Sequence, residues 1–142
     1  MRVMVFVKAT PESERGAPPD PKMLEEMEKF NDELRKAGVM ITCDGLQPSS
    51  KGKRVAFDGV RREVIDGPFT HSKDLVAGFW LWNVRNLDEA VEWVKRCPNP
   101  MPGHGEIEIR PIDTIRPDAA SIRTGEPGAV ALSACQGARL VN

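Results

Sequence analysis

The sequence predicts an α+β fold, a mainly antiparallel sheet with two helices on one face, and three observations carry that prediction. Two stretches, Val3 to Val7 and Leu75 to Val84, are apolar at successive positions, so a strand built from either shows apolar groups on both faces. Two others, opening at Pro21 and after Asn86, repeat apolar residues at helical spacing and carry end signals. The resulting order is strand, helix, strand, hairpin, strand, helix, strand, which is related to the ferredoxin-like arrangement.

Taken in order, Val3, Val5 and Val7 share one face of the first strand, and Met4 and Phe6 share the other. Thr10 to Asp20 is rich in proline, glycine and charge, and reads as a solvent loop. Asp20 caps a helix that Pro21 opens. Met23, Leu24, Met27, Phe30 and Leu34 form its apolar stripe, and Glu25 with Lys29 and Asp32 with Lys36 pair on its wet side. Ala37-Gly38 closes it. A short second strand, Val39 to Cys43, follows, closed by Asp44-Gly45 and a loop from Leu46 to Ser50.

Asp58-Gly59 carries the two-residue signature of a type I′ hairpin turn, a register that sets Phe57 opposite Val60 and Arg54 opposite Glu63. The returning strand, Val60 to Ile65, reaches Asp66-Gly67-Pro68-Phe69, a sharp turn ahead of the central strand, Leu75 to Val84. Gly78, among bulky neighbours, predicts a bulge or a close backbone approach. Asn86 caps the second helix with Glu89 three residues on, and Leu87, Ala90, Val91 and Val94 form its stripe, with Trp93 to the side. Glu106 to Ile112 alternates as a half-exposed strand with Pro111 near its end on an edge. A first domain, 1–115, is followed by a tail, 116–142, that is poorly ordered or docks through Val130 and Leu132 or Leu140 and Val141.

The 142 residues suffice for one domain with one core. Twenty basic residues balance 21 acidic ones, which argues against a nucleic-acid partner, since that needs a basic surplus. Lys51, Lys53, Arg54, Arg61 and Arg62 read as the solvated face of the hairpin. No run of about 18 apolar residues spans a membrane. Three scattered cysteines, Cys43, Cys97 and Cys135, suit reduced thiols in a cytoplasm, and no pattern calls for a metal or a cofactor. The uncovered apolar sheet face predicts a homodimer.

The residues open to chemistry are few. Asp66 either holds its turn by accepting amide hydrogens or sits at a strand end as a ligand-binding group or a base. His71 and His104 are the two histidines, both in loops, and would form a proton-transfer site or a weak metal site only by converging, with Asp66 or Asp74 orienting one ring. Any catalysis would fall to His71, His104 or Asp66. Asp66, Phe69, His71, Trp80 and His104 are the candidate ligand contacts.

Asp66-Gly67-Pro68-Phe69 with Lys73, Gly78-Phe79-Trp80, Leu87 to Ala90, Trp93, Arg96-Cys97-Pro98 and Glu108 to Pro111 resembles the YCII-related proteins of the DGPF-domain group. Leu34 to Val39 and Gly45 to Pro48 match the same pattern, so the resemblance runs from Met1 to Ile112. It implies a dimeric α/β-barrel fold with a cleft between sheet and helices. It also implies a possible regulatory setting, since some relatives accompany extracytoplasmic-function sigma factors. A histidine and aspartate dyad proposed in the wider family does not carry over: the first helix has no histidine, and Cys97-Pro98 stands where Asp-Pro is common. His71 also replaces a frequent glutamate. The reading is a dimeric small-molecule-binding protein with a cleft near the Asp66 turn. The alternatives are a small enzyme for proton transfer or isomerisation and a regulatory or protein-interaction module linked to sigma-factor signalling.

Overall fold

The elements run β1 (Arg2–Lys8), α1 (Pro11–Glu14), α2 (Pro21–Lys36), β2 (Met40–Gly45), β3 (Lys53–Asp58), β4 (Arg61–Asp66), β5 (Val76–Asn83), α3 (Leu87–Arg96) and β6 (Ile107–Pro111). The computed structural model describes residues 1–70 and 72–114, without the side chain of Ser72. His71, Cys135 and the tail residues proposed to dock lie outside the described residues. Four strands form one sheet in the order β2-β5-β1-β6, every neighbour antiparallel, and β3 and β4 form a separate two-stranded sheet. The chain is therefore α+β with an antiparallel sheet, as its pattern of elements requires.

The two strands apolar on both faces are the two central ones, paired from Arg2 opposite Asn83 to Val7 opposite Gly78. Val3, Val5, Trp80, Trp82 and Val84 pack with Phe30 and Leu34 of α2 and Ala90 of α3, so both helices cover the same face. Alternation turns Met4, Phe6, Phe79 and Leu81 to the opposite face. The sequence places Pro111 at the end of an edge strand, and β6 is that edge.

α2 starts and stops where its end signals lie. Asp20 Oδ1 accepts the Lys22 amide hydrogen at 3.1 Å, and Gly38 takes the positive φ of 71° that closes the helix. Both expected pairs form on its wet side, Lys29 with Glu25 at 3.7 Å and Lys36 with Asp32 at 2.9 Å. Its stripe is narrower than the spacing suggests: Phe30 and Leu34 are buried, Met23 and Met27 are half-buried, and Leu24 is exposed.

Four expectations need correction. The loop from Thr10 to Asp20 contains α1, because Thr10 and Ser13 form a reciprocal capping box around Pro11. The hairpin register is displaced: Asp58 pairs with Arg61, Phe57 with Arg62 and Ala56 with Glu63, so the loop is Gly59-Val60. A type I′ turn over Asp58-Gly59 would force Asp58 to positive φ, whereas here Gly59 alone takes it, at 58°. On α3 the inward side chains are Ala90, Trp93 and Val94, while Leu87 and Val91 are exposed. Trp93 reaches Phe30 across the helix pair, with ring centroids 6.4 Å apart, and the Arg96 guanidinium lies 4.6 Å from the centre of its ring. The second strand begins one residue later than expected, because Val39 turns inward from the helix end and is buried.

Leu34→Ala removes a fully buried side chain and is expected to cost about 3 kcal/mol in urea unfolding, whereas Leu24→Ala on the same helix changes stability by less than about 0.5 kcal/mol.

Candidate ligand-binding cleft

The cleft forms because the sheet carries a glycine where its neighbours carry large side chains. Gly78 lies on β5 two residues before Trp80, and a Cβ built there would meet the Asp44 carbonyl oxygen of β2 at 3.2 Å. The pairing of β1 with β5 also shifts between Val7 and Lys8, beside the same glycine. Both features expected of Gly78, close approach and a bulge, are present. The first turn of α2, the ends of β2 and β5, and the loop Pro98 to Pro102 surround a cavity of about 1130 Å³.

Its apolar lining includes Met27, Ala77, Trp80, Leu46 and Met101, with Cys43 beside them. One polar contact organises that lining. Trp80 Nε1–H donates to Asn31 Oδ1 at 2.8 Å, and Trp80 itself is buried. Burial pushes the Cys43 thiol above its ordinary range, with Arg35 opposing and Asp44 adding to the shift, so the thiol is neutral near pH 7. The charged groups are Glu12, Asp20, Lys22, Glu26 and Asp44.

The Asp66 turn stands beside this cleft. Ser49 is the joint: its hydroxyl donates to Glu14 Oε2 at 2.5 Å and accepts the Phe69 amide hydrogen at 3.0 Å, while its own amide donates to the same carboxylate at 3.2 Å. Gly67 lies so near the Ser49 carbonyl oxygen that an added Cβ would overlap it, and the Gly67 amide donates to the Gly52 carbonyl at 3.1 Å. Asp66 holds no turn amide among the described residues. Its carboxylate, 75% exposed, pairs instead with Lys53 across the hairpin. This corrects the turn-holding role read from the sequence: Ser49 fills it, because the 48–52 turn passes under Gly67. The Phe69 ring lies 3.9 Å below the Arg54 guanidinium.

Of the candidate ligand contacts, Trp80 lines the large cleft. His104 lines a smaller cavity of about 610 Å³ with Lys8, Lys73 and Glu12, is 85% exposed, and sits 3.1 Å from Glu106 Oε1. Asp66 and Phe69 line neither of these two cavities. His71 lies outside the described residues, so its relation to His104 is not part of this geometry. The loop from Cys97 to Gly105, which the sequence marks as rigid and irregular and assigns to the cleft, lines it through Pro98 to Pro102, whereas Asn31 escaped the sequence reading. Asn31 had a signal: it falls four residues after Met27 and three before Leu34, a polar side chain inside an apolar stripe.

Cys97, beside that loop, is half-buried against the core, and burial pushes its thiol up to about 12. Among the described residues, no group of three or more His, Cys, Asp or Glu side chains is arranged to hold a metal ion, and no helix is long and apolar enough to cross a membrane.

An antiparallel α+β sheet with two helices on one face and a cleft between them defines the class of this protein. The chain belongs to the YCII-related domain family, whose model matches residues 1–115. It is similar to an uncharacterized protein of Rhizobium meliloti (strain 1021), 26% identical over 98 residues that make up 69% of this chain and 79% of that protein. Among solved structures it is similar to the 5-chloro-2-hydroxyhydroquinone dehydrochlorinase of Burkholderia phenoliruptrix AC1100 in complex with 2,5-dihydroxybenzoquinone. That match has 16% identity and a TM-score of 0.38, covering 76% of this chain and 91% of the other.

Two outcomes follow from the turn and from Cys97. Ser49→Ala leaves the Phe69 amide and the Glu14 carboxylate without their shared partner and is expected to cost about 1 to 2 kcal/mol in urea unfolding. The Cys97 thiol binds its proton more tightly folded than unfolded, so its contribution to stability is complete below the ordinary thiol value of 9.0 and is lost as pH rises towards about 12. Urea midpoints measured across that window should fall less steeply in Cys97→Ala than in the native chain.

Proposed function

We propose that this protein is a homodimeric small-molecule-binding protein, and that the cleft beside Trp80 is its binding site. The observation that carries the reading is the cleft itself: a cavity of about 1130 Å³ on the helix-covered face, lined in large part by apolar residues, with one oriented amide at Asn31. Ligand sites are commonly concave, apolar and supplied with a few fixed polar groups. The Asp66 turn contributes by position, since its joint at Ser49 adjoins Pro48, which forms part of the cleft wall.

The strand order β2-β5-β1-β6, with a helix after β1 and another after β5, supports the ferredoxin-like arrangement. In the dimer the sheet faces opposite the helices meet. Support comes from half-buried Met4, Phe6 and Phe79 at the centre of that face, and from Lys8, Glu108 and Arg110 beside them, which give a two-fold contact both signs of charge. The free thiols Cys43 and Cys97 suit a reducing compartment such as the cytoplasm.

Two measurements test the two parts separately. N-phenyl-1-naphthylamine, an uncharged fluorophore that brightens on leaving water, should bind the native chain and lose at least about tenfold in affinity in Ala77→Phe, which fills the cleft. Retained binding in a folded Ala77→Phe protein, judged by circular dichroism, removes the cleft as the site. Sedimentation at micromolar concentration should give a dimer for the native chain and a monomer for Phe6→Glu, and a native monomer removes the dimer.

A further inference from the structure

The balance of charge around the cleft, together with its one oriented amide, selects among ligands. Three carboxylates, Glu12, Asp20 and Glu26, stand around it and one ammonium, Lys22, answers them, while Asp44 borders it with its backbone, since it pairs with Phe79 and shares that residue's face. Glu12 is shared with Arg15 at 3.8 Å, and Asp20 is engaged with the Lys22 amide. Glu26 has no cation within ion-pair distance among the described residues. An anion entering this cleft therefore meets net repulsion and loses its water without finding a compensating cation. The same lining also supplies a hydrogen-bond donor. Indole nitrogen only donates, so the Trp80 contact fixes the amide oxygen of Asn31 on the indole side and leaves the two amino hydrogens without a partner among the described residues.

We propose that the cleft takes an uncharged or cationic, largely apolar small molecule bearing a hydrogen-bond-accepting oxygen, that the Asn31 amino group donates to that oxygen, and that anions are rejected by the carboxylates. The proposal rests on the cleft being the binding site, and it adds what the cleft accepts. Asn31 is here a specificity-determining residue. Its partner Trp80 orients it, since the indole keeps the amide from rotating.

The test uses the native chain and two matched pairs of compounds. N-phenyl-1-naphthylamine and 1-anilinonaphthalene-8-sulfonate share one apolar body and differ by a sulfonate. The uncharged compound should bind at least about fivefold more tightly at low salt, with the gap narrowing as salt screens the carboxylates. It should also narrow in Glu26→Gln. As competitors against bound N-phenyl-1-naphthylamine, 2-acetylnaphthalene should act at about fivefold lower concentration than 2-ethylnaphthalene, the difference one hydrogen bond makes. In Asn31→Asp, which still accepts from Trp80 but no longer donates, that preference should vanish. If the sulfonate binds as well as its uncharged match, or the acetyl preference survives in Asn31→Asp, the selection is wrong while the cleft stands. If N-phenyl-1-naphthylamine fails to bind at all, or binds unchanged in Ala77→Phe, the cleft reading falls and this inference with it. The charge comparison needs no variant, so an unfolded Asn31→Asp would leave it decisive.

Discussion

The antiparallel pairing of β1 with β5 is the constraint from which the rest of the structure hangs. It sets Val3 opposite Trp82 and Val5 opposite Trp80, so one face carries two indoles over two valines and neither helix has another large apolar surface to cover. Phe30 lies edge-on to both, with centroids 6.2 Å from Trp80 and 6.4 Å from Trp82, and the two indoles are 5.8 Å apart. Aromatic groups in edge contact resist sliding as well as separation. The arrangement carries a cost: Trp82 is fully buried and its Nε1–H has no hydrogen-bond partner among the described residues. A buried donor of that kind costs about 1 to 3 kcal/mol. The aromatic contacts around Trp82 hold it in place despite that.

What the sequence disclosed and what it withheld divide along a physical line. Alternation and helical spacing concern a residue and its near neighbours, and they located the two central strands, the cap at Asp20, the stop at Gly38 and the edge position of Pro111. The resemblance carried by the Asp66 turn and the Gly78-Phe79-Trp80 strand pointed to the family that the match over residues 1–115 shows. The hairpin register was lost because Asp58-Gly59 and Gly59-Val60 are both plausible turns, and they differ in which residue must take positive φ. The role of Asp66 was lost for a different reason. Local pattern speaks only for its own turn, whereas Lys53 and Ser49 arrive from segments 13 and 20 residues away from the groups they hold. Trp93 likewise turns inward because Phe30 waits on another helix.

The cleft and the turn are two products of glycine used in one way. At Gly78 and again at Gly67 the missing side chain lets a second stretch of backbone approach, the Asp44 carbonyl in one place and the Ser49 carbonyl in the other. The first approach leaves room next to Trp80. The second anchors the base of the β3–β4 hairpin, whose strands and loop are exposed throughout, with Phe57 71% and Val60 97% open to solvent. A lone two-stranded hairpin is marginal in water, so this one depends on its base contacts. The site and the arm thus share a wall, the turn from Pro48 to Gly52, which ties to Gly67 on one side and borders the cleft on the other.

The four-stranded sheet also ends in two unlike ways. β6 closes one edge with Pro111, which has no amide hydrogen to offer a further strand, and β2 closes the other with a register shift between Met40 and Thr42 that interrupts its ladder. Neither margin presents an uninterrupted row of donors and acceptors. Growth strand by strand, the route by which crowded sheets become fibres, is discouraged at both borders.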